Sequence, residues 1–167
     1  EYYPDQTTAW HRAQREQTNS ASADDPQQVV ADAQTAYADG DLDTAAEHLQ
    51  QLPFDALDTE DQLEARVLAL QVTMAQQAFT DALFHGDAAL DLAPEEPLIL
   101  HLIGQALWAQ NHRDAAADAL IYAAELLETA EREGSDLQFD VNAAQVYFIA
   151  GEVCEHLQQS AEARHFF

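Results

Sequence analysis

Alanines recur along this chain at a fixed interval, and that interval limits its architecture more than any other feature. The stretch Thr80-Asp81-Ala82 through Ala89 is echoed by Asp114-Ala115-Ala116 through Ala123, and Ala82 stands 34 residues before Ala116. Self-similarity at a period of ~20–50 residues marks small structural units stacked one on another, each covering the apolar face of its neighbour. Helix punctuation fits such units. Asp25-Pro26-Gln27-Gln28 offers a capping carboxylate and a proline in the first turn, and Val30, Ala33 and Tyr37 follow at helical spacing until Gly40. A second helix carries Leu42, Ala45, Leu49 and Leu52 up to Pro53. A third, capped by Asp58, carries Leu63, Val67, Leu70 and Met74. The fourth is expected over Phe79–Ala93, the fifth from Pro97, and the sixth from about His112 to Glu133 before Gly134. The seventh holds Val146, Tyr147, Ala150 and Val153, and an eighth is expected from about Ser160. No stretch alternates with period two for long enough to make a strand. The expected fold is all-α.

Residues 1–25 stand apart as a polar arm with at most a short amphipathic turn around Trp10. From Pro26 the helices pair into hairpins at about 26–53, 59–94, 97–133 and 137–167. The third unit sets Leu100, Ile103, Gly104 and Leu107 before Ala116, Leu120 and Ala123. The fourth sets Tyr147, Ala150, Gly151 and Cys154 before Ala163 and Phe167. Aligned on their apolar residues, the second reads Val67, Leu70, Gln71, Met74, then Ala82, Gly86, Ala89 and Pro94. The first reads Val30, Ala33, Gln34, Tyr37, then Ala45, Leu49 and Leu52. These motifs resemble the tetratricopeptide repeat family over residues 26–167, and the resemblance implies a right-handed α-solenoid of antiparallel hairpins. In that register the first two interhelix turns are one residue tighter than the third. Gln34 and Gln71 stand where a small residue is usual, which should loosen packing there. The junction from Ala116 to Ala163 carries about thirteen surplus residues within 127–142, expected as added helical turns around Gly134. Such a chain, stopping within its eighth helix, is expected to be a piece of a longer array or multidomain protein.

Charge and composition narrow the function. Asp and Glu number 31 against six basic residues, all of them Arg, for a formal net charge of −25. A surface this negative argues against nucleic acid and against anionic membranes, both of which need clustered cations. No apolar run approaches the ~20 residues of a membrane span, and neither leader nor compartment is legible. Abundant Asp, Ala and Arg without Lys also resembles the proteins of salt-adapted, GC-rich bacteria. The single cysteine, Cys154, excludes an internal disulfide and a cysteine-based zinc site, and falls on a packing position. Glycines 40, 86, 104, 134 and 151 are scattered singly, so no phosphate-cradling loop exists. None of the seven histidines pairs at chelating helical spacing, no HExxH occurs, and no nucleophile elbow surrounds a serine. No metal, cofactor or catalytic residue is expected.

By resemblance, the first helix of each hairpin lines a concave groove that captures a peptide or helix. In the register above its lining is Ala31, Asp32, Thr35 and Asp39, then Leu68, Val72 and Gln76. His101, Leu102, Gln105, Trp108 and Ala109 follow, and Phe148, Ile149, Glu152, Glu155 and His156 close it. Leu102, Trp108, Phe148 and Ile149 are the expected anchors, with Glu152 and Glu155 as charge partners. The expected ligand is a protein segment with apolar anchors and basic residues. A carboxylate clamp of the kind chaperone-tail adaptors use is not expected, because Arg66, Arg113 and Arg164 fall outside the groove. The reading is a non-enzymatic interaction module or scaffold. Three alternatives fit the same residues: an acidic secretion chaperone, a scaffold self-assembling into homo-oligomers through its repeat ends, and a regulatory domain of a larger enzyme.

Overall fold

The computed structural model describes residues 25–157. The expected arm before Asp25 and the expected eighth helix, with Ala163, Arg164 and Phe167, lie outside the described residues. Within them the protein is all-α. The helices are α1 (Pro26–Ala38), α2 (Leu42–Gln51), α3 (Thr59–Ala75), α4 (Phe79–Leu90), α5 (Pro97–Ala109), α6 (Arg113–Glu133) and α7 (Ala143–His156), with a 3₁₀ turn at Phe54–Ala56. Each helix packs on its neighbours in the chain, and α3 also touches both α1 and α5.

Side chains close the helix starts where the sequence places capping residues. Asp25 accepts from the Gln27 amide at 3.3 Å, Asp58 from Asp61 at 2.9 Å and Asn142 from Gln145 at 3.1 Å. Asp41 accepts from both the amide and the hydroxyl of Thr44, at 3.1 and 2.7 Å, and these bonds hold its carboxyl below the ordinary range. Each satisfies a donor that a helix start leaves unpaired. The fourth helix ends three residues earlier than expected, at Leu90. Pro94 biases Ala93 away from helical angles, although the Ala93 amide still reaches the Ala89 carbonyl at 2.9 Å.

The three turns inside the hairpins share one backbone geometry. Gly40, Gln77 and Asn111 adopt left-handed angles, with φ of 80°, 59° and 66°. In each turn the next amide bonds back five residues: Asp41 to Ala36 at 2.9 Å, Ala78 to Thr73 at 2.8 Å, His112 to Leu107 at 2.9 Å. This is the Schellman closure of a helix end. The first two turns are therefore not tighter than the third, and the apolar alignment behind that expectation is off by one residue. Aligning on the turns places Ala33, Leu70 and Gly104 at equivalent positions, twelve residues before Ala45, Ala82 and Ala116. Ala33 and Leu70 are fully buried. Gln34 is exposed and Gln71 half-buried on the helix shoulder, so neither loosens the packing. The mismatch arose because Tyr37 and Met74 were equated with Leu107, whereas the turn bonds equate them with Trp108.

Ala45, Ala82, Ala89, Ala116 and Ala123 are all fully buried. Between them, size is exchanged across paired helices. A Cβ on Gly104 of α5 would lie 2.5 Å from Leu120 Cγ of α6, while one unit earlier Leu70 of α3 meets Gly86 of α4. Positions 70 and 104, and 86 and 120, are each 34 apart. The large and small partners have simply changed sides. A Cβ on Gly86 would also lie 2.6 Å from Ile103 Cγ1, so that glycine admits the next hairpin as well. Close packing leaves no room for either added carbon without displacement.

The surplus at the last junction takes two forms. Some of it lengthens α6 to 21 residues, which Gly134 terminates with φ 66°. The remainder, residues 134–142, is irregular rather than helical and folds back onto the bundle. Its Phe139 and Val141 pack against the cluster of Leu63, Val67, Leu70, Leu98, Ile99 and Ile103, and Leu137 packs beside Leu100 and Leu127.

Candidate functional site

The expected groove residues divide between core and surface. Leu68 and Val72, placed in the groove by the apolar alignment, belong to the core with Val30, Ala33, Ala45 and Leu49. His101 is corrected in the same way, being only 4% exposed. One ring nitrogen of His101 meets the Gln105 amide at 2.9 Å, while Nδ1 has no partner. Burial alone pushes this imidazole down to about 4, so it is neutral near pH 7. Leu102 packs with the second cluster, away from Trp108 and Ile149, which pack together on Ala117, Leu120 and Val153.

Trp108 already carries a cation. The Arg113 guanidinium lies 3.8 Å from its ring centroid, steered there by a 2.9 Å bond from Nε to Asn111 Oδ1. The His156 ring meets Trp108 edge-on at 5.4 Å. Sequence spacing left Arg113 outside the groove because it sits beyond the turn; the left-handed residue at Asn111 swings it back over the indole. Phe148 is 53% exposed. Glu152 and Glu155 are exposed one and two turns further along α7, so the three form one stripe at helical spacing. Where Tyr147 leaves α7, its hydroxyl donates to Glu131 at 3.2 Å. Burial first, and then that carboxylate, push the phenol up to about 12.

A concavity of about 400 Å³ opens between α1, α3 and α5, bordered by Gln34, Tyr37, Val67, Gln71 and Leu98. Phe139 and Asp140 of the returning segment supply one wall of it. Where that segment leaves the bundle it passes Glu96, which is 6% exposed and has an unpartnered Oε1. Burial pushes this carboxyl up, and the amides of Leu98 and Gln138 oppose the shift.

A second site has no counterpart in the sequence reading. Between α2, the 3₁₀ turn, α3 and α4 lies a cavity of about 500 Å³ whose wall includes Arg66, Phe54, Phe84 and His85. These four come from three separate elements, and nothing in their spacing announces that they meet. Among the described residues no group of three or more His, Cys, Asp or Glu is placed to hold a metal ion, and no helix is long and apolar enough to cross a membrane. Cys154 is a buried free thiol. No model of a known protein family matches the chain, and no curated protein matches it in sequence.

Proposed function

We propose that this chain is a non-enzymatic interaction module of the tetratricopeptide type, which holds a partner segment against the surface shared by α5 and α7. The single observation that carries the binding role is the exposed stripe of Phe148, Glu152 and Glu155. An exposed phenylalanine bordered by carboxylates complements a segment with an apolar anchor and neighbouring Arg or Lys. Turn-for-turn equivalence at Gly40, Gln77 and Asn111, with spacings of 37 and 34 residues, supports the repeat reading. Within that reading the first helices present Tyr37, Gln71, Gln105 and Trp108 at equivalent places, and Phe148 continues the same surface.

Display of a random peptide library against the whole chain tests this. Enriched peptides are expected to combine an aromatic or aliphatic anchor with at least one basic residue. Phe148→Ala is expected to weaken their binding at least about tenfold and leave the melting temperature within a degree or two, since the ring is largely exposed. Trp108→Ala is the less clean variant, because its ring also packs on Leu120 and Val153. Enrichment of acidic peptides, or unchanged binding by the Phe148 variant, would contradict the proposal.

A further inference from the structure

We propose that the cavity between α2, α3 and α4 binds a small organic acid, a carboxylate on an apolar or aromatic body, with Arg66 as the group that receives the carboxylate. This site lies on other elements than the α5–α7 surface and does not depend on it. Its volume, about 500 Å³, falls in the range of small-molecule pockets. The wall is mostly apolar, with Leu49, Leu52 and Val72 behind the aromatic rings.

The arrangement of Arg66 selects the ligand's charge and shape. Its guanidinium lies 3.7 Å from the Phe54 centroid and 5.7 Å from that of Phe84. With aromatic rings on its faces, its remaining capacity lies in the plane, at the N–H edges. One edge is used: NH1 contacts His85 Nδ1 at 3.3 Å. Nε is buried and has no partner. Among the described residues no carboxylate hydrogen-bonds this guanidinium, in a chain with 31 acidic side chains. Asp55 acts on it only through space, and burial destabilises its charge. Two oxygens in one plane match the unused donors, as a carboxylate does.

His85 is held neutral beside it by burial, and then by Arg66 itself, against the pull of Asp81. With Nδ1 facing the guanidinium, its ring proton sits on Nε2, a second donor. His85 also stacks with both rings, at 5.8 Å from Phe54 and 5.3 Å from Phe84. Asp81 on the wall and the overall negative field disfavour dianions such as phosphate. A singly charged acid whose body fills the apolar wall meets both conditions.

Calorimetric titration of the full chain with phenylacetate and with phenylacetamide tests this, in about 0.3 M KCl so that long-range repulsion is screened. One phenylacetate is expected to bind per chain with saturation, and the amide at least about tenfold more weakly. Arg66→Gln is expected to remove that tenfold preference and leave amide binding unchanged. Phe84→Ala, at a ring 64% exposed and so not needed for folding, should weaken both ligands. Melting curves establish that each variant is folded. If the Arg66 variant fails to fold, the acid–amide comparison on the native chain and on the Phe84 variant still decides. Equal binding of acid and amide, no saturable binding, or displacement of phenylacetate by inorganic phosphate would overturn the assignment.

Discussion

His101 shows how a single side chain couples the core of this protein to pH. It is neutral in the fold, its imidazole held near 4 by burial, whereas an unfolded histidine titrates near its ordinary value of 6.5. Between those two values the unfolded chain binds the extra proton, so stability rises with pH across the window. The contribution is complete above about pH 6.5 and is lost as pH falls toward 4, up to about 3 kcal/mol for a shift of this size. Glu96 runs the other way, since its raised carboxyl favours the fold as acid is added. The two are separated by comparison with His101→Gln, whose urea stability is expected to lack the loss seen in the native chain between pH 6.5 and 4. Parallel curves for the two proteins would remove His101 from that role. The sequence placed His101 correctly on α5 but gave it a solvent-facing part. Counting helical positions from Trp108 does not reveal that Gln105 and the returning segment close over that side.

At the scale of elements, the caps were legible and the backbone of the turns was not. Asp25, Asp41, Asp58 and Asn142 all stand before an apolar-periodic run, and three of those boundaries agree with expectation to the residue. The left-handed residue in each turn is hidden, because only one of the three, Gly40, is a glycine. A side chain at positive φ is strained, more for glutamine than for asparagine. Gln77→Gly is therefore expected to raise stability by about 0.5–1 kcal/mol, and Asn111→Gly by less, since Asn tolerates this region. Urea midpoints of both variants check the order; destabilisation by Gln77→Gly would mean that its side chain holds the turn. Residues 134–142 were visible as surplus length, yet their fate followed from tertiary packing. Gly134 ends α6, and Leu137, Phe139 and Val141 then find apolar clusters to cover. Local pattern does not encode that choice.

The whole molecule carries a formal charge of −25 over 167 residues. Self-repulsion of that size opposes the compact state and weakens as salt screens it. The melting temperature is expected to rise by several degrees between dilute buffer and about 1 M KCl; a fall would show that attractive pairs dominate instead. The same charge supports the expectation of basic partners, and makes the solitary, stacked Arg66 conspicuous once the coordinates gather its rings. That pocket was illegible because it joins residues from a 3₁₀ turn, α3 and α4. What makes the hairpins stack is the exchange of bulk at a spacing of 34 residues, Leu70 on Gly86 and Gly104 under Leu120. A double-mutant cycle of Gly104→Leu and Leu120→Gly, read by urea unfolding, recreates the earlier pair at the later place. Each single change is expected to cost about 2 kcal/mol or more, through overpacking and through a cavity respectively. Together they should cost at least about 1 kcal/mol less than the sum. Additivity within about 0.5 kcal/mol would contradict the claim that these two positions fill one another's space.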